Sequence, residues 1–100
     1  MPAYGIALIT IHDRVGYAAY EEGFMRIFRQ HGGKLLAVEE GAAVKEGDWP
    51  HNRTVLLEFP DVEAFEAWFE SPDYQALAKH RHAASVASIA VIRGLTPPGG

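Results

Sequence analysis

Ile6-Ala7-Leu8-Ile9 and Val55-Leu56-Leu57 are apolar at every consecutive position. Neighbouring residues of a strand point to opposite faces of a sheet, so both faces are greasy along these stretches. A sheet with one wet face alternates instead. Outward from these two segments, the chain reads strand, helix, strand, strand, helix, strand. Four strands make one sheet, and two helices can blanket only one of its faces. Something must cover the other, and the simplest cover is a second copy of the same sheet.

The segments have recognisable ends. Tyr4 to Ile11 is rich in strand formers, and His12-Asp13 closes it, with Asp13 as helix N-cap. Tyr17, Tyr20, Phe24, Ile27 and Phe28 recur at three- and four-residue spacing, which predicts a helix to about His31 with one apolar stripe. Gly32-Gly33 ends it. Lys34 to Val38 is the second strand, broken or bulged at Glu39-Glu40-Gly41 and continued by Ala42-Ala43-Val44. The turn-rich stretch from Glu46 to Asn52 leads to a third strand, Arg53 to Phe59, stopped by Pro60. Asp61 caps a helix with Val62, Phe65, Trp68 and Phe69 on its stripe. Ser71-Pro72 restarts that helix, and Tyr74, Leu77, Ala78 and His82 continue the inner face. Ser85 to Arg93 is the last strand. Residues 1–95 form one domain, and residues 96–100, with Pro97-Pro98-Gly99-Gly100, are expected to be a flexible tail.

Two split β-α-β units with right-handed crossovers give a ferredoxin-like βαββαβ protomer of the α+β class with a four-stranded antiparallel sheet. The first and third strands are expected side by side in the middle, running the same way, with the second and fourth at the edges. A lone protomer would expose an apolar patch well above the roughly few hundred Å² usual for soluble proteins. A symmetric homodimer through the helix-free sheet face follows.

Composition narrows the function classes. The chain has no cysteine, which excludes disulfides, thiolate metal sites and a cysteine nucleophile, and fits a reducing cytoplasm. Net charge is −4 with scattered basic residues, so nucleic acid is not expected as a partner. No apolar run approaches the roughly 20 residues that span a bilayer, and nothing at the N-terminus resembles a signal peptide. No metal and no cofactor is expected: His80 and His82 sit on opposite sides of a helix, and no G-x-S-x-G, H-E-x-x-H, P-loop or G-x-G-x-x-G occurs. The acidic residues Glu39, Glu40, Glu46 and Asp48 read as a solvated sheet edge rather than a cation site.

Two groups of residues carry candidate chemistry. If the central strands run the same way, His12 and Glu58 end on one edge of the sheet, joined there by Lys34, Ser85 and both helix N-termini. A histidine and a glutamate under apolar neighbours suit general acid/base work. The plainer alternative is that Glu58 pairs with Lys34 while His12 merely ends a strand. The second group is the aromatic stripe of the helices. Most of it reads as core, but Tyr17, Trp68 and Tyr74 carry polar tips that need partners when buried. Gly5 and Ala7 are small and share one face of the first strand, leaving room for an aromatic-walled cleft. Arg81 either faces a ligand carboxylate with its donor fork or pairs with Glu58, Glu70 or Asp73. His31 reads as a C-terminal cap, and Trp49 as a residue that packs on the partner subunit or, alternatively, as a lid.

Several short pieces, in this order and spacing, carry a family likeness. They are Pro2-Ala3-Tyr4, Asp13, Tyr17/Tyr20, His31-Gly32-Gly33, Glu46-Gly47-Asp48-Trp49-Pro50, Glu58-Phe59-Pro60, Ala67-Trp68-Phe69, Ser71-Pro72-Asp73-Tyr74-Gln75 and Arg81. The chain resembles the domain-of-unknown-function family numbered 1330, a branch of the dimeric α/β-barrel superfamily, from Met1 to about Gly94. The resemblance implies two ferredoxin-like sheets face to face in a dimeric α/β barrel, with a pocket between sheet and helices. It implies no activity, although the wider superfamily includes cofactor-free monooxygenases and isomerases. The second strand departs from the family pattern. Relatives read Arg-Phe-Leu-x-Arg-Gly-Gly, whereas this chain reads Lys34-Leu35-Leu36-Ala37-Val38-Glu39-Glu40-Gly41 and lacks the second arginine.

The leading expectation is a cytoplasmic homodimer of uncharacterised function that binds a small, partly apolar or aromatic molecule between sheet and helices. Tyr17, Trp68, Tyr74 and Arg81 are the candidate ligand contacts. One alternative is a cofactor-free monooxygenase or isomerase with His12 and Glu58 as catalytic acid and base. Another is a structural or regulatory dimer with no ligand site.

Overall fold

The computed structural model describes residues 1–95, and the expected tail at 96–100 lies outside them. Its elements are β1 (Ala3–Ile11), α1 (Arg14–Gln30), β2 (Lys34–Glu40), β3 (Arg53–Phe59), α2 (Val62–Phe69), α3 (Pro72–Ala84) and β4 (Ser85–Arg93). The sheet order is β2-β3-β1-β4, the ferredoxin-like α+β arrangement, with all neighbours antiparallel.

The direction of β3 corrects the sequence reading. β1 and β3 are central, but they run antiparallel, with Tyr4 opposite Glu58 and Ile9 opposite Arg53. The cause is topological. A crossover makes its own two strands parallel, so β1 matches β2 and β3 matches β4. β3 lies between β1 and β2 and therefore runs against both. Lys34 and Ser85 consequently fall at opposite ends of the sheet, beside Glu58 and Ile11 respectively.

β1 shows why both faces are apolar. Ala3, Gly5, Ala7, Ile9 and Ile11 are buried beneath the helices, and the residues between them are half-buried on the other side. The pairings carry this division across the sheet. Leu57, Val55 and Ile89 share the helix-covered side with Gly5 and Ala7. Leu56, Ala90 and Ile92 share the helix-free side with Tyr4 and Ile6.

Helix ends follow local chemistry. Asp13, Asp61 and Ser71 each accept a backbone N–H three residues on, from Gly16, Ala64 and Tyr74. At the end of α1, Gly32 takes φ +80°. Its N–H bonds to the Arg29 carbonyl and that of Gly33 to Phe28, closing a Schellman motif. The His31 ring sits 3.1 Å from the Ile27 carbonyl, in the capping role its position suggested.

The irregularity of β2 lies elsewhere than expected. The strand runs unbroken through Glu39 and Glu40, and the bulge falls between Leu35 and Ala37. Ala42-Ala43-Val44 is not strand. On α3 the inner face is Tyr74, Ala78, Arg81 and Ala84, and His82 is exposed. Among the described residues no helix is long and apolar enough to cross a membrane.

Candidate functional site

A cavity of 190 Å³ lies between the sheet and α1, α2 and α3. Ala7, Ile9, Val55, Leu57 and Ile89 form its floor on the sheet. Tyr17, Tyr20 and Phe24 from α1, Trp68 from α2, and Tyr74 and Arg81 from α3 form its walls. Glu21, Leu35 and Val38 are exposed and mark its rim. The small residue Ala7 provides the room. Gly5 does not, because the Phe65 ring already fills its side: a Cβ there would stand 2.8 Å from that ring.

Aromatic packing holds the walls. Trp68 is 2 % exposed and packs against Phe28, Phe59, Phe65 and Tyr74, the last with ring centroids 4.2 Å apart. Tyr20 and Tyr74 share a hydrogen bond of 2.8 Å between their hydroxyls. A tyrosine has one O–H, so this bond uses one proton of the pair and leaves the other free to donate. Burial pushes the Tyr20 phenol well above its ordinary value, and the adjoining Tyr74 adds to the rise. Burial raises Tyr17 as well, against the opposing pull of Arg53.

Two buried polar atoms of these wall residues have no partner among the described residues. Trp68 Nε1 and Arg81 Nε are buried without a hydrogen bond. Arg81 is 5 % exposed, and no carboxylate stands within ion-pair distance of it among the described residues. Its Nη2 lies a long 3.4 Å from His82 Nε2, and the guanidinium carbon lies 5.8 Å from the centroid of the Tyr20 ring. The expected alternatives for Arg81, pairing with Glu58, Glu70 or Asp73, do not occur.

Arg53 is the residue that the sequence reading missed. It lies over the Tyr17 ring, 5.3 Å from its centroid, and joins Glu21 at 2.9 Å to Glu40 at 2.6 Å. Glu40 is gripped in turn by both terminal nitrogens of Arg14, each at 3.2 Å. Burial alone would lower the Arg53 pKa, but the bonds to Glu21 and Glu40 outweigh it and hold the charge firmly in place. The Arg14 hydrogen bond, aided by Arg53, lowers the Glu40 pKa despite slight burial. Glu40 is thus part of a rim network rather than a plain solvated edge. The signal was present: Arg53 stands two residues before Val55, so it shares the inward face of β3.

His12 and Glu58 do not meet. Glu58 is opposite Tyr4, and His12 stands beyond the far end of the same strand. Eight residues of strand separate those positions by about 26 Å at roughly 3.3 Å per residue. Glu58 also alternates with the buried Leu57 and Phe59, which sends it to the helix-free side. It lies 4.0 Å from Lys34 beside a second hollow, of 240 Å³, walled by Pro2, Gly32 and Pro60. His12 is exposed and lines neither space. The acid/base pair required parallel central strands and fails with them. Tyr17, Trp68, Tyr74 and Arg81, by contrast, all line the one cavity. Among the described residues no group of three or more His, Cys, Asp and Glu is placed to hold a metal.

The family model described as "Domain of unknown function (DUF1330)" matches residues 2–95. The chain belongs to the DUF1330 family. Solved structures agree on the fold. A protein of unknown function from Rhodopseudomonas palustris is 24% identical, with TM-score 0.80, over 96% of this chain and 84% of that one. SnoaB, a cofactor-independent oxygenase from Streptomyces nogalater, is 17% identical, with TM-score 0.64, over 99% and 98%. A dimeric ferredoxin-like protein of unknown function from Jannaschia sp. CCS1 is 14% identical, with TM-score 0.66, over 94% and 100%. At these identities the likeness is one of fold. No curated protein matches this DUF1330 chain in sequence.

Proposed function

We propose that this DUF1330 protein is a cytoplasmic homodimer whose protomers each bind one small, largely apolar molecule between sheet and helices. The observation that carries the reading is the 190 Å³ cavity, walled by aromatic rings and by two residues, Trp68 and Arg81, that each bear a buried donor without a partner among the described residues. A purely structural dimer needs no such space, and close packing beneath the helices is the ordinary state of a core. Unpaired buried polar atoms are rare in folded proteins and call for an explanation. A ligand acceptor supplies one.

The volume sets the scale. A cavity of about 150 Å³ accommodates benzene, so a single substituted ring suits this one. Tyr17, Trp68, Tyr74 and Arg81 are the proposed contacts, with Arg53 at the mouth. The enzymatic alternative of a cofactor-free oxygenase or isomerase lacks its His12/Glu58 pair, and the fold likeness to SnoaB does not replace it.

The test is a thermal-shift panel of single-ring phenols, quinones, lactones and aromatic acids. The expected result is a saturable rise in Tm for some members, abolished in Ala7→Leu, whose side chain fills the floor of the cavity. A panel without hits, or binding untouched by Ala7→Leu, overturns the reading.

A further inference from the structure

We infer that the ligand is an anion: a single apolar ring bearing a carboxylate, seated with its charged oxygens against Arg81 and Trp68. This deepens the proposed function and rests on it. Arg81 is 5 % exposed and its guanidinium is a cation with donors only, yet no carboxylate of the described residues pairs with it. A buried charge left unpaired is strongly destabilising unless something neutralises it. Arg53, the other arginine on the cavity wall, already has Glu21 and Glu40. The cavity therefore holds one cation that the fold itself satisfies and one that it does not.

The donors add chemical detail. Arg81 Nε and Trp68 Nε1 are the two buried side-chain polar atoms without partners among the described residues, and both belong to walls of the same cavity. Both are donors only. The free proton of the Tyr20–Tyr74 pair is a third donor beside them. A site whose buried unpaired side-chain atoms are all donors recognises a group that accepts, and an ionised carboxylate is the strongest such group. Apart from Glu21 and Arg53 at the rim, the remaining wall is largely apolar and aromatic, which fits an aromatic frame rather than a sugar or a phosphate ester.

The test compares benzoate and 4-hydroxybenzoate with the matching benzamides, which keep the shape and lose the charge. In the wild-type protein the carboxylates should bind about tenfold tighter or more. Their binding should shift one of the two indole N–H resonances downfield, that of Trp68, while Trp49, bonded to Thr54, stays put. Arg81→Met keeps the bulk of the side chain. It should melt no lower than the ligand-free wild type, because replacing a buried unpaired charge with a hydrophobic residue relieves its cost. It should also bind acid and amide alike. Equal affinity for acid and amide in the wild type overturns the inference while leaving the cavity reading intact, as does a preference that persists in Arg81→Met. A protein that binds no member of either panel overturns both. Should Arg81→Met fail to fold, the wild-type affinity ratio and the indole shift decide.

Discussion

The hydroxyl groups of Tyr20 on α1 and Tyr74 on α3 lie 2.8 Å apart, in a buried hydrogen bond that ties the two long helices together beside the cavity. The bond has a consequence at high pH. Burial, with Tyr74 adding to it, raises the Tyr20 pKa well above 10.0. Above about pH 10 the unfolded chain gives up this proton and the folded one keeps it, so the folded state binds more protons there. Stability from this source is complete below pH 10 and is lost as pH rises through the folded pKa. Thermal melts should show a decline beginning near pH 10, and Tyr20→Phe, with nothing to ionise, should decline less steeply. Equal slopes would show that Tyr20 takes no part.

Removing one hydroxyl separates the bond from the ionisation. Tyr74→Phe strands the Tyr20 hydroxyl in a buried site and should cost about 1–2 kcal/mol at neutral pH, measured by urea unfolding. The Trp68–Tyr74 ring contact survives this change. A loss of more than about 4 kcal/mol would point to repacking rather than to one hydrogen bond.

The two glycines after α1 serve different purposes, and substitution should separate them. Gly32 has φ +80°, a backbone that an added Cβ strains, so Gly32→Ala should cost about 1 kcal/mol. Gly33 has an ordinary backbone, but a Cβ there would run into the Phe28 ring. Phe28 is wholly buried and cannot step aside. Gly33→Ala should therefore be the worse change, costing about 1–3 kcal/mol, the usual penalty for overpacking. The ranking of the two urea midpoints checks it.

The rim network predicts an acid-side effect. Arg14, through its hydrogen bond, and then Arg53 hold the Glu40 pKa below its ordinary value. Its stabilising contribution is present above the ordinary carboxylate pKa and is lost as pH falls through the lower folded value. The Glu40 side chain is nearly half exposed, so solvent screens the gain and the stability change should be small. The titration itself is the better readout. In Arg14→Ala the Glu40 carboxyl carbon, followed by NMR, should titrate at a higher pH than in the wild type. An unmoved midpoint would assign the shift to Arg53 alone.

How much of this was legible beforehand depends on the kind of signal. Element order, caps and the covered faces follow from local periodicity, and β3, α2 and β4 fall where the pattern puts them. Strand direction does not follow from periodicity. It follows from how crossovers close, and because β3 runs against β1, Glu58 stands at the opposite end of the sheet from His12 and the two form no acid/base pair. Spacing is also ambiguous by one residue. From Ala78, a three-residue step reaches Arg81 and a four-residue step reaches His82, and hydropathy favours the wrong choice. The structure buries Arg81 because it stands on the cavity wall, a feature that no local pattern encodes. The inward-facing aromatic residues were plain from their stripe. The gap among them was not, since it depends on Phe65 filling the space over Gly5 while the cavity lies over Ala7.

The helices leave one face of the sheet bare. Ile6 and Leu56 are paired across the two central strands and point away from the helices. Ala90 and Ile92 extend the apolar surface along β4, where Ile92 is 51% exposed and Val86 68%. At one end the Trp49 indole donates to Thr54, and the Pro50 carbonyl accepts from Thr10, so this loop borders the same face. If two copies meet there, Leu56→Glu buries a carboxylate from each protomer near the centre of the interface, and neither has a partner. Such a change is strongly unfavourable for association. It leaves the helix-covered core untouched, because Leu56 projects to the other side. Sedimentation velocity at micromolar concentration should show a dimer for the wild type and a monomer for Leu56→Glu, with far-UV circular dichroism unchanged. Ligand binding should persist in the folded variant, since Leu56 is not among the residues lining the cavity. A wild-type protein that sediments as a monomer would remove the dimer from the proposed function and leave the apolar sheet face without an explanation.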